Sequence, residues 1–241
     1  MRARLDRGDD AAPLLPAPAP ALAAVVVVPA RNEEERIDVC LRALQAQADM
    51  ALPWEIIVVL DDCADATADV VAAAAARSAR PVVEGVAGPG RGVGAARARG
   101  MELACRRLHE AGSPTGLIAT TDADSRVAGD WLAAMLALRD GGARAIAGLV
   151  DLDPADRAAI DPDAAAQRAH RAGQRLHAVR MQDATAEHHH FAGASLAVTA
   201  EAYRAAGGLE PVRSLEDEAF ARRLAEAGIP IVRSRAVRVL T

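Results

Sequence analysis

Two aspartates stand one residue apart in the stretch LIATTDADSRVAGDWL, directly after a run of apolar residues. Asp122 and Asp124 would repel each other unless a positive charge lies between them. Mg²⁺ and Mn²⁺ suit this position, because they prefer one or two carboxylates together with phosphate oxygens to a cage made only of protein groups. The alternative is that Asp124 caps a turn or the following helix. Because no helix begins directly after the pair, the pattern favours a divalent metal ion that is shared with a phosphate group.

The elements that would position this pair alternate in type along the chain. Short apolar runs such as AAVVVVP, WEIIVVL and GLIATT predict buried strands, and the segments between them repeat apolar residues at helical spacing. Alternation of strands and helices is typical of a sheet with helices on both faces. Strands that are buried on both faces favour parallel pairing. The sequence therefore predicts an α/β fold with one mixed, mainly parallel sheet.

Polar and charged side chains follow each of the first four predicted strands. In open α/β sheets, ligands bind at the carboxyl ends of the strands, and these ends meet at one edge of the sheet. The side chains at these positions are Arg31, Asn32, Glu33, Asp61, Asp62, Arg91, Arg97, Asp122 and Asp124. Their convergence predicts a binding site that contains both acids and arginines.

The chain is predicted to contain one domain after a short leader. Residues 1–22 are rich in proline and alanine, and we expect them to form a flexible leader. Residues 23–241 show neither a repeat nor a linker, so we assign them to a single domain. Within this domain, residues 154–187 are rich in Asp, Arg and His and have only weak helical spacing. We interpret that segment as an excursion from the alternating pattern.

Composition argues against several classes of protein. The net charge of −5 disfavours a nucleic-acid surface, which needs a basic stripe. Aromatic residues make up only 2% of the chain, which disfavours a module that only binds sugars or single strands by stacking. Three cysteines without a CxxC spacing favour a reducing compartment, the cytoplasm. No apolar run reaches the roughly 20 residues that a transmembrane helix needs, which leaves peripheral membrane contact open.

Five segments, in the same order, resemble the family 2 glycosyltransferases, whose GT-A fold binds nucleotide sugars. They are VVVVPARNEEERI, IIVVLDDCADATADV, RGVGAARARGMELA, TTDADS and FAGASLAVTAEAYRAAGGLEPVRSLEDEAFARRLAEAG. The resemblance implies one Rossmann-like GT-A domain, with a nucleotide-binding half at about 23–125 and an acceptor half at about 126–241. It also implies an enzyme that moves a sugar from a nucleoside diphosphate sugar to a hydroxyl acceptor, which the sequence does not identify.

The resemblance implies a function for most residues at the strand ends. Those that would bind the nucleotide sugar are Pro29, Ala30, Arg31, Glu33, Asp61, Arg97 and Asp122. Among them, Asp61 would accept a hydrogen bond from the base, and Arg97 would lie near the phosphates, because a guanidinium suits oxyanions. Asp124 would bind Mn²⁺ or Mg²⁺ directly. Asp122 would contact the ribose or the metal ion with its water.

The resemblance also implies that a histidine of the acceptor half can join the metal ligands. The chain offers three in the stretch EHHHF. In an extended chain, His188 and His190 point away from His189, so the three cannot easily converge on one ion. We take His189 as the candidate ligand, with a solvated loop as the alternative.

The acids of LEDE stand at the start of a predicted helix. Acids are common there because the helix dipole favours negative charge near its N-terminus, and Glu216 and Glu218 fit that explanation. The resemblance implies that Asp217 is the general base, which removes a proton from the acceptor hydroxyl and gives inversion at the anomeric carbon.

Three alternatives stay open at this point. A nucleotidyltransferase would use a similar sheet and metal ion, but it needs a glycine-rich basic loop where this chain has the acidic PARNEEER. A retaining glycosyltransferase would not use Asp217 as a base. A catalytically silent protein that binds nucleotide sugars would need neither Asp217 nor the pair Asp122 and Asp124, all of which are present.

Overall fold

The computed structural model describes residues 15–47, 51–77, 81–211 and 216–241. Its strands are β1 (Ala24–Ala30), β2 (Trp54–Leu60), β3 (Val82–Ala87), β4 (Leu117–Thr120), β5 (Arg126–Val127), β6 (Ala145–Asp151), β7 (Leu196–Thr199) and β8 (Ile231–Leu240). Its helices are α1 (Ile37–Gln45), α2 (Thr67–Arg77), α3 (Val93–Glu110), α4 (Trp131–Asp140), α5 (Pro154–Ala159), α6 (Pro162–Arg180), α7 (Ala200–Ala205) and α8 (Glu216–Glu226). A short 3₁₀ turn, Gly193–Ser195, precedes β7.

The eight strands of the described residues form one sheet in the order β3-β2-β1-β4-β7-β6-β8-β5. β1 pairs in parallel with β2 and β4, and β2 pairs in parallel with β3. β7 runs antiparallel between β4 and β6, and β8 runs parallel to β6. The predicted α/β class with a mixed, mainly parallel sheet is therefore confirmed. The parallel strands β1 to β4 bring their carboxyl ends to one edge.

β1 shows why helices cover both faces of the sheet. Successive side chains of a strand point to opposite faces. Val26 and Val28 pack in one apolar cluster with residues of α1, whereas Val25 and Val27 pack in a second cluster with residues of α3. All four valines are fully buried. Since burial of a valine contributes about 1.5–3 kcal/mol, this strand can only be stable with both faces covered.

Close packing of α3 on the sheet depends on Gly100. A Cβ atom at Gly100 would overlap the Val27 side chain and would lie 2.9 Å from a methyl group of Val59. Any larger residue would push α3 away from β1 and β2. The same helix carries Arg97 near its start, so this contact also sets the position of Arg97 at the carboxyl edge of the sheet.

The segment that we interpreted as an excursion forms two helices, α5 and α6. The longer helix, α6, has 19 residues, and Asp161 caps it by accepting hydrogen bonds from the backbone N–H groups of Asp163 (3.0 Å) and Ala164 (3.2 Å). None of its residues is fully buried. A helix with so little buried surface has a weak apolar repeat, which explains why the sequence pattern did not reveal it. The two-residue strand β5 was also not predicted.

Residues 1–14 of the expected leader lie outside the described residues. Residues 15–22 lie against the domain: Leu22 is fully buried, and the Pro16 carbonyl oxygen accepts a hydrogen bond from Arg107 at 2.9 Å. The boundary that we expected at residue 22 therefore falls within a segment that packs on the domain. Within the described part of the chain, no helix is both long and apolar enough to cross a membrane.

Candidate active site

A cavity of about 460 Å³ opens at the carboxyl ends of β1, β2 and β4. Nine residues that we predicted from the sequence line it: Pro29, Ala30, Arg31, Glu33, Asp61, Arg97, Asp122, Asp124 and Asp217. The other lining residues are Val93, Ala96, Ala123, Ala192, Gly193, Ala194 and Glu216. The structure thus brings these nine residues together, whereas Asn32, Asp62 and Arg91 at the strand ends, and His189, lie outside the cavity lining.

The loop after β1 is held by the residues that lead into α2. Asn32, which has a positive φ of 56°, accepts a hydrogen bond from the Ala64 N–H at its Oδ1 atom (2.8 Å). The Glu33 N–H donates to the Thr67 hydroxyl at 2.8 Å. These bonds cross between neighbouring strand ends, so they fix Arg31 and Glu33 at the mouth of the cavity.

Asp61 fixes the glycine-rich loop that follows β3. It is 1% exposed, and its two carboxylate oxygens accept hydrogen bonds from the N–H groups of Gly90 (2.6 Å) and Gly92 (2.9 Å). These glycines have φ values of 68° and 99°, which other residues adopt only with strain. A Cβ atom at Gly88 would lie 2.7 Å from the Asp61 Cα atom. A hydrogen bond to a base would use the lone pairs that remain on the Asp61 oxygens.

Arg97 joins three parts of the chain in the wall of the cavity. The residue is buried, and its guanidinium forms ion pairs with Asp122, which follows β4, and with Glu216 at the start of α8. Its Nε atom lies 3.3 Å from the Thr120 hydroxyl and donates to it. A side chain at Gly193 would overlap this guanidinium, so the turn before β7 requires glycine. These contacts hold the Arg97 charge in a defined place.

Our assignment of Glu216 to the helix dipole alone was incomplete, because its buried carboxylate also pairs with Arg97. The sequence did contain a signal for the burial of Glu216, although not for its partner. Glu216, Phe220 and Leu224 recur at every fourth position and are the buried residues of α8. Residues at that spacing share one face of a helix, so Glu216 belongs to the apolar face. Glu218 is exposed, as expected for a residue that contributes only to the dipole.

Six carboxylates line the cavity: Glu33, Asp61, Asp122, Asp124, Glu216 and Asp217. Burial raises the pKa of Asp122; the charge of Arg97 opposes this shift, and the negative charges of Asp124 and Asp217 add to it. Burial also raises the pKa of Glu33, and the charge of Asp124 adds to that shift. Both shifts show that the carboxylates are close enough to disfavour each other's charged form. A cation among them would relieve this repulsion.

The residues fit a metal ion that is shared with a diphosphate. The nearest basic group to Asp124 is the exposed Arg36, whose Nη1 atom lies 3.8 Å from the carboxylate. Among the residues that the structure describes, no three His, Cys, Asp or Glu side chains are grouped as a ligand set. The protein would therefore supply Asp124 and Asp122, and phosphate and water would complete the coordination, as Mg²⁺ and Mn²⁺ prefer.

Asp217 reaches the cavity from α8, late in the chain. It lies in the first turn of α8, is partly exposed, and accepts a hydrogen bond at Oδ1 from the Glu218 N–H (2.8 Å). The preceding residue, Glu216, is anchored on Arg97, so the first turn of α8 is fixed against the start of α3. A carboxylate in this position is open to a substrate and held at the rim of the cavity.

The three histidines lie outside the cavity lining. His188 is buried; its Nδ1 atom accepts the N–H of His190 (3.2 Å), which leaves the proton on Nε2 for the Ser234 carbonyl oxygen (3.3 Å). The Val150 N–H donates to Nδ1 of His190 (3.0 Å), and burial lowers the pKa of His190 to about 4. A solvated loop is therefore wrong for His188. His189 packs edge-on against His190, and its function as a metal ligand stays a prediction.

Solved structures of three glycosyltransferases share this fold, the GT-A fold. The mannosyltransferase PcManGT from Pyrobaculum calidifontis, in complex with GDP-Man and Mn²⁺, is 22% identical, with a TM-score of 0.65 over 97% of this chain and 60% of its own. TarS from S. aureus, in complex with UDP-GlcNAc, is 16% identical, with a TM-score of 0.60 over 86% of this chain and 54% of its own. Glucosyl-3-phosphoglycerate synthase from M. tuberculosis is 15% identical, with a TM-score of 0.59 over 91% of this chain and 72% of its own.

The sequence profile of glycosyl transferase family 2 matches residues 25–201. This match covers most of the chain, so the chain belongs to glycosyl transferase family 2 and is by family a glycosyltransferase. The match ends within α7, before Asp217. No curated protein sequence matches the chain significantly. The chain spans less than two thirds of the length of the PcManGT and TarS chains.

Proposed function

We propose that this chain transfers a sugar from a nucleoside diphosphate sugar to a hydroxyl group of an acceptor, with a divalent metal ion bound and with inversion at the anomeric carbon. The observation that carries this proposal is that acids from both halves of the chain line one cavity. Asp122 and Asp124 come from the nucleotide-binding half, and Asp217 comes from the acceptor half. Membership of glycosyl transferase family 2 supports the class of reaction.

The donor would bind along the ends of β1, β2 and β4. Asp61 would accept a hydrogen bond from the base, and Arg97 would lie near the phosphates, whose negative charge suits a guanidinium. Pro29, Ala30 and Arg31 would line the pocket for the nucleotide. Two relatives were solved with nucleotide sugars of different bases, GDP-Man in PcManGT and UDP-GlcNAc in TarS. We therefore propose a nucleoside diphosphate sugar as the donor and leave its base to experiment.

Asp124 and Asp122 would hold Mn²⁺ or Mg²⁺. When bound, the metal ion offsets the negative charge that grows on the departing diphosphate. Two relatives were solved with Mn²⁺, PcManGT and glucosyl-3-phosphoglycerate synthase. In this chain the proposal is supported by the crowding of carboxylates. Burial raises the pKa of Asp122, and the neighbouring charges of Asp124 and Asp217 add to that shift.

Asp217 would act as the general base. The proton of the acceptor hydroxyl moves to the Asp217 carboxylate while the hydroxyl oxygen bonds to the anomeric carbon. The bond between that carbon and the diphosphate breaks, and the diphosphate leaves with the bonding electrons. A base on the side of the sugar opposite the leaving group gives inversion in one displacement. Asp217 belongs to α8, whereas Asp122 and Asp124 follow β4. This separation supports a base that faces the sugar from the side opposite the diphosphate.

The test is a titration of the protein with a panel of nucleoside diphosphate sugars that includes each of the common bases, in the presence of Mn²⁺, measured by calorimetry. We expect saturable binding of one nucleotide class. Asp124→Asn should weaken this binding, whereas Asp69→Asn, an exposed acid of α2, should leave it unchanged. A panel that shows no saturable binding with either Mn²⁺ or Mg²⁺ would refute the donor site.

The second measurement is the release of nucleoside diphosphate when hydroxyl compounds are added. We expect release that depends on the acceptor, and a product whose anomeric configuration is opposite to that of the donor. Retention of configuration would refute Asp217 as the base of a single displacement. Release of a sugar phosphate with a nucleoside monophosphate would instead identify a different cleavage, outside sugar transfer.

We place the reaction in the cytoplasm. Cys40 and Cys105 are buried, and Cys40, Cys63 and Cys105 are all free. Burial raises the pKa of Cys40 and Cys105, so both are poorly reactive as thiolates. Free cysteines without disulfide partners support a reducing compartment.

A further inference from the structure

One face of α6 carries three arginines at a regular spacing. Arg168, Arg171 and Arg175 follow one another at intervals of three and four residues, which places them on one side of the helix. All three are exposed, and no acid of the described residues forms an ion pair with them. On α6 itself, no acid stands three or four residues from any of them. We call Arg168, Arg171 and Arg175 the arginine face.

The arginine face is electrostatically unfavourable as it stands. Like charges three or four residues apart on a helix repel each other and destabilise it. α6 contains four arginines and one aspartate, on a chain whose net charge is −5. Positive charge that is concentrated on one helix of an acidic protein attracts anions to that helix. A bound anion would therefore relieve the repulsion within the arginine face.

The end of α6 adjoins the histidine segment, residues 188–190. Arg175 is the member of the arginine face that lies near it, and Arg233 of β8 lies near it as well. Nε of Arg180 donates to the Ala186 carbonyl oxygen at 2.9 Å, which ties the end of α6 to the start of that segment. Burial lowers the pKa of His189, and the charges of Arg175 and Arg233 lower it further, so both arginines lie near this ring. The Nε atom of Arg233 is buried and has no hydrogen-bond partner in the described structure.

Nearby acids do not neutralise this group of charges. The Glu187 carboxylate is already engaged by the Ser234 hydroxyl (3.2 Å) and by the backbone N–H of Arg235 (2.5 Å). Burial lowers the pKa of Arg233, and the charge of Asp183 opposes this shift without forming an ion pair. The Asp183 carboxylate accepts hydrogen bonds from Thr185. Asp151, whose charge acts on His190, is paired with Arg157. Among the described residues, the arginine face therefore keeps its positive charge without an acid bonded to it.

This positive region adjoins the acceptor side of the cavity. Ala192, two residues after His190, lines the cavity, so the Cα atoms of these residues are at most about 7 Å apart. Asp217 lines the same cavity and belongs to the same half of the chain. An anionic group bound at the arginine face would thus lie on the side where the acceptor must enter.

We propose that the arginine face, together with Arg233, binds a phosphate group carried by the acceptor. This inference rests on the proposed function and adds the chemical class of the acceptor. Guanidinium groups bind phosphate through paired N–H donors, which matches a surface made only of arginines. An anionic membrane fits less well, because an interfacial helix exposes large apolar residues. On α6 the large apolar residues are Leu176 and Val179, which are partly buried on the protein.

The test is a calorimetric titration of the metal-free protein with inorganic phosphate. Without a metal ion, the carboxylates of the cavity repel phosphate, so binding reports on the arginine face. We expect saturable binding that Arg171→Gln/Arg175→Gln weakens about tenfold, since two charge-assisted contacts are lost. The matched control is Arg106→Gln/Arg204→Gln, which removes the same charge from exposed positions of α3 and α7. Equal weakening in both variants, or no saturable binding, would overturn the proposal.

Two further measurements separate this inference from the proposed function. Binding of UDP or GDP with Mn²⁺ should be the same in the wild-type protein and in both double variants. If the wild-type protein binds neither nucleotide but still binds phosphate at the arginine face, only the proposed function is refuted. Binding to vesicles of equal parts phosphatidylcholine and phosphatidylglycerol, without binding of inorganic phosphate, would overturn the acceptor site and identify α6 as a membrane-docking helix.

Discussion

Two buried arginines on the same helix, α3, are paired in different ways. Arg107, near the end of α3, forms a two-pronged ion pair with Glu55 at 2.6 and 2.8 Å, and its third nitrogen donates to the Pro16 carbonyl oxygen. Arg97, near the start of α3, contacts two carboxylates, those of Asp122 and Glu216. At the far end Arg107 bonds one carboxylate, with the partly buried Glu84 nearby, whereas at the cavity end Arg97 bonds two carboxylates.

This difference separates a structural pair from a functional one. All nitrogens of Arg107 have acceptors, and Arg107 is the basic partner of Glu55 among the described residues, so the pair holds α3, β2 and the residues before β1 together. Around Arg97, the further acids Glu33, Asp124 and Asp217 leave negative charge in excess. Excess charge in a partly buried place is unfavourable, so stability does not explain it. The excess of negative charge supports the metal ion that we propose for this site.

The most severe loss that we predict follows from Asp217→Asn. If Asp217 is the base, the rate of sugar transfer should fall about a thousandfold, which is within the range for a lost general base. Nucleotide affinity should not change, because Asp217 does not bind the nucleotide. Transfer is measured as acceptor-dependent release of nucleoside diphosphate, and affinity by calorimetry.

The matched control for Asp217→Asn is Glu218→Gln, the next residue on α8, which is exposed. It removes the same charge from the first turn of the helix without touching the cavity lining, so its rate should stay near that of the wild-type protein. A similar fall in both variants would show that the helix N-terminus needs negative charge, and would contradict the assignment of Asp217 as a base.

The two arginines should respond alike when each is removed singly. Arg107→Met leaves Glu55 buried without a partner, and Arg97→Met does the same to Glu216, so each should lower the free energy of unfolding by about 3 kcal/mol. Unfolding in urea at pH 7 measures this. A much smaller effect at Arg97 would show that water already solvates the cavity end.

The paired variants then distinguish the two ends. Arg107→Met/Glu55→Leu replaces a balanced pair by apolar groups and should recover most of the lost stability, with transfer retained. Arg97→Met/Glu216→Leu leaves Asp122 beside Asp124 without its counter-charge, so transfer should stay lost even where stability recovers. Recovery of transfer in the second pair would mean that Arg97 is only structural.

The residues at the strand ends could be predicted from the sequence because local pattern and topology agree there. Apolar runs identified β1, β2 and β4, and parallel strands place whatever follows them at one edge, which located Asp61 and Asp124 correctly. α6 could not be predicted as a helix, because its arginines and alanines show little apolar repeat when no face is fully buried. The contact between Arg97 and Glu216 joins residues far apart in sequence, and no local signal specifies such a partner.

Removal of the metal ion should weaken nucleotide binding in the cavity, and the Arg107–Glu55 pair should have no influence on this effect. We expect EDTA to lower the affinity for the nucleoside diphosphate about tenfold, because the carboxylates then repel its phosphates. Asp124→Asn should show the weaker affinity without EDTA and should respond little to it. Arg107→Met/Glu55→Leu should respond to EDTA like the wild-type protein. If EDTA leaves the affinity unchanged, the metal ion has no place in the proposal.

The smallest effect that we predict concerns Glu84 of β3, which lies near the Arg107 pair. Burial raises the pKa of Glu84; the charge of Arg107 opposes this shift, and that of Glu55 adds to it. The folded protein therefore holds a proton on Glu84 more tightly than the unfolded chain does. Its contribution to stability is fully present below the ordinary value of 4.5 and is lost as the pH rises through the raised pKa.

At pH 7, then, the charge of Glu84 slightly destabilises the folded protein. Glu84→Gln should raise the free energy of unfolding by about 0.5 kcal/mol or less. The effect is small because the side chain is partly exposed. Near pH 4 the wild-type carboxyl is largely protonated in the folded state, so the gain should nearly disappear. Urea unfolding of both proteins across this range measures the difference. A gain in stability that is independent of pH would come from packing. It would show that the charge of Glu84 costs the folded protein no stability beside Arg107 and Glu55.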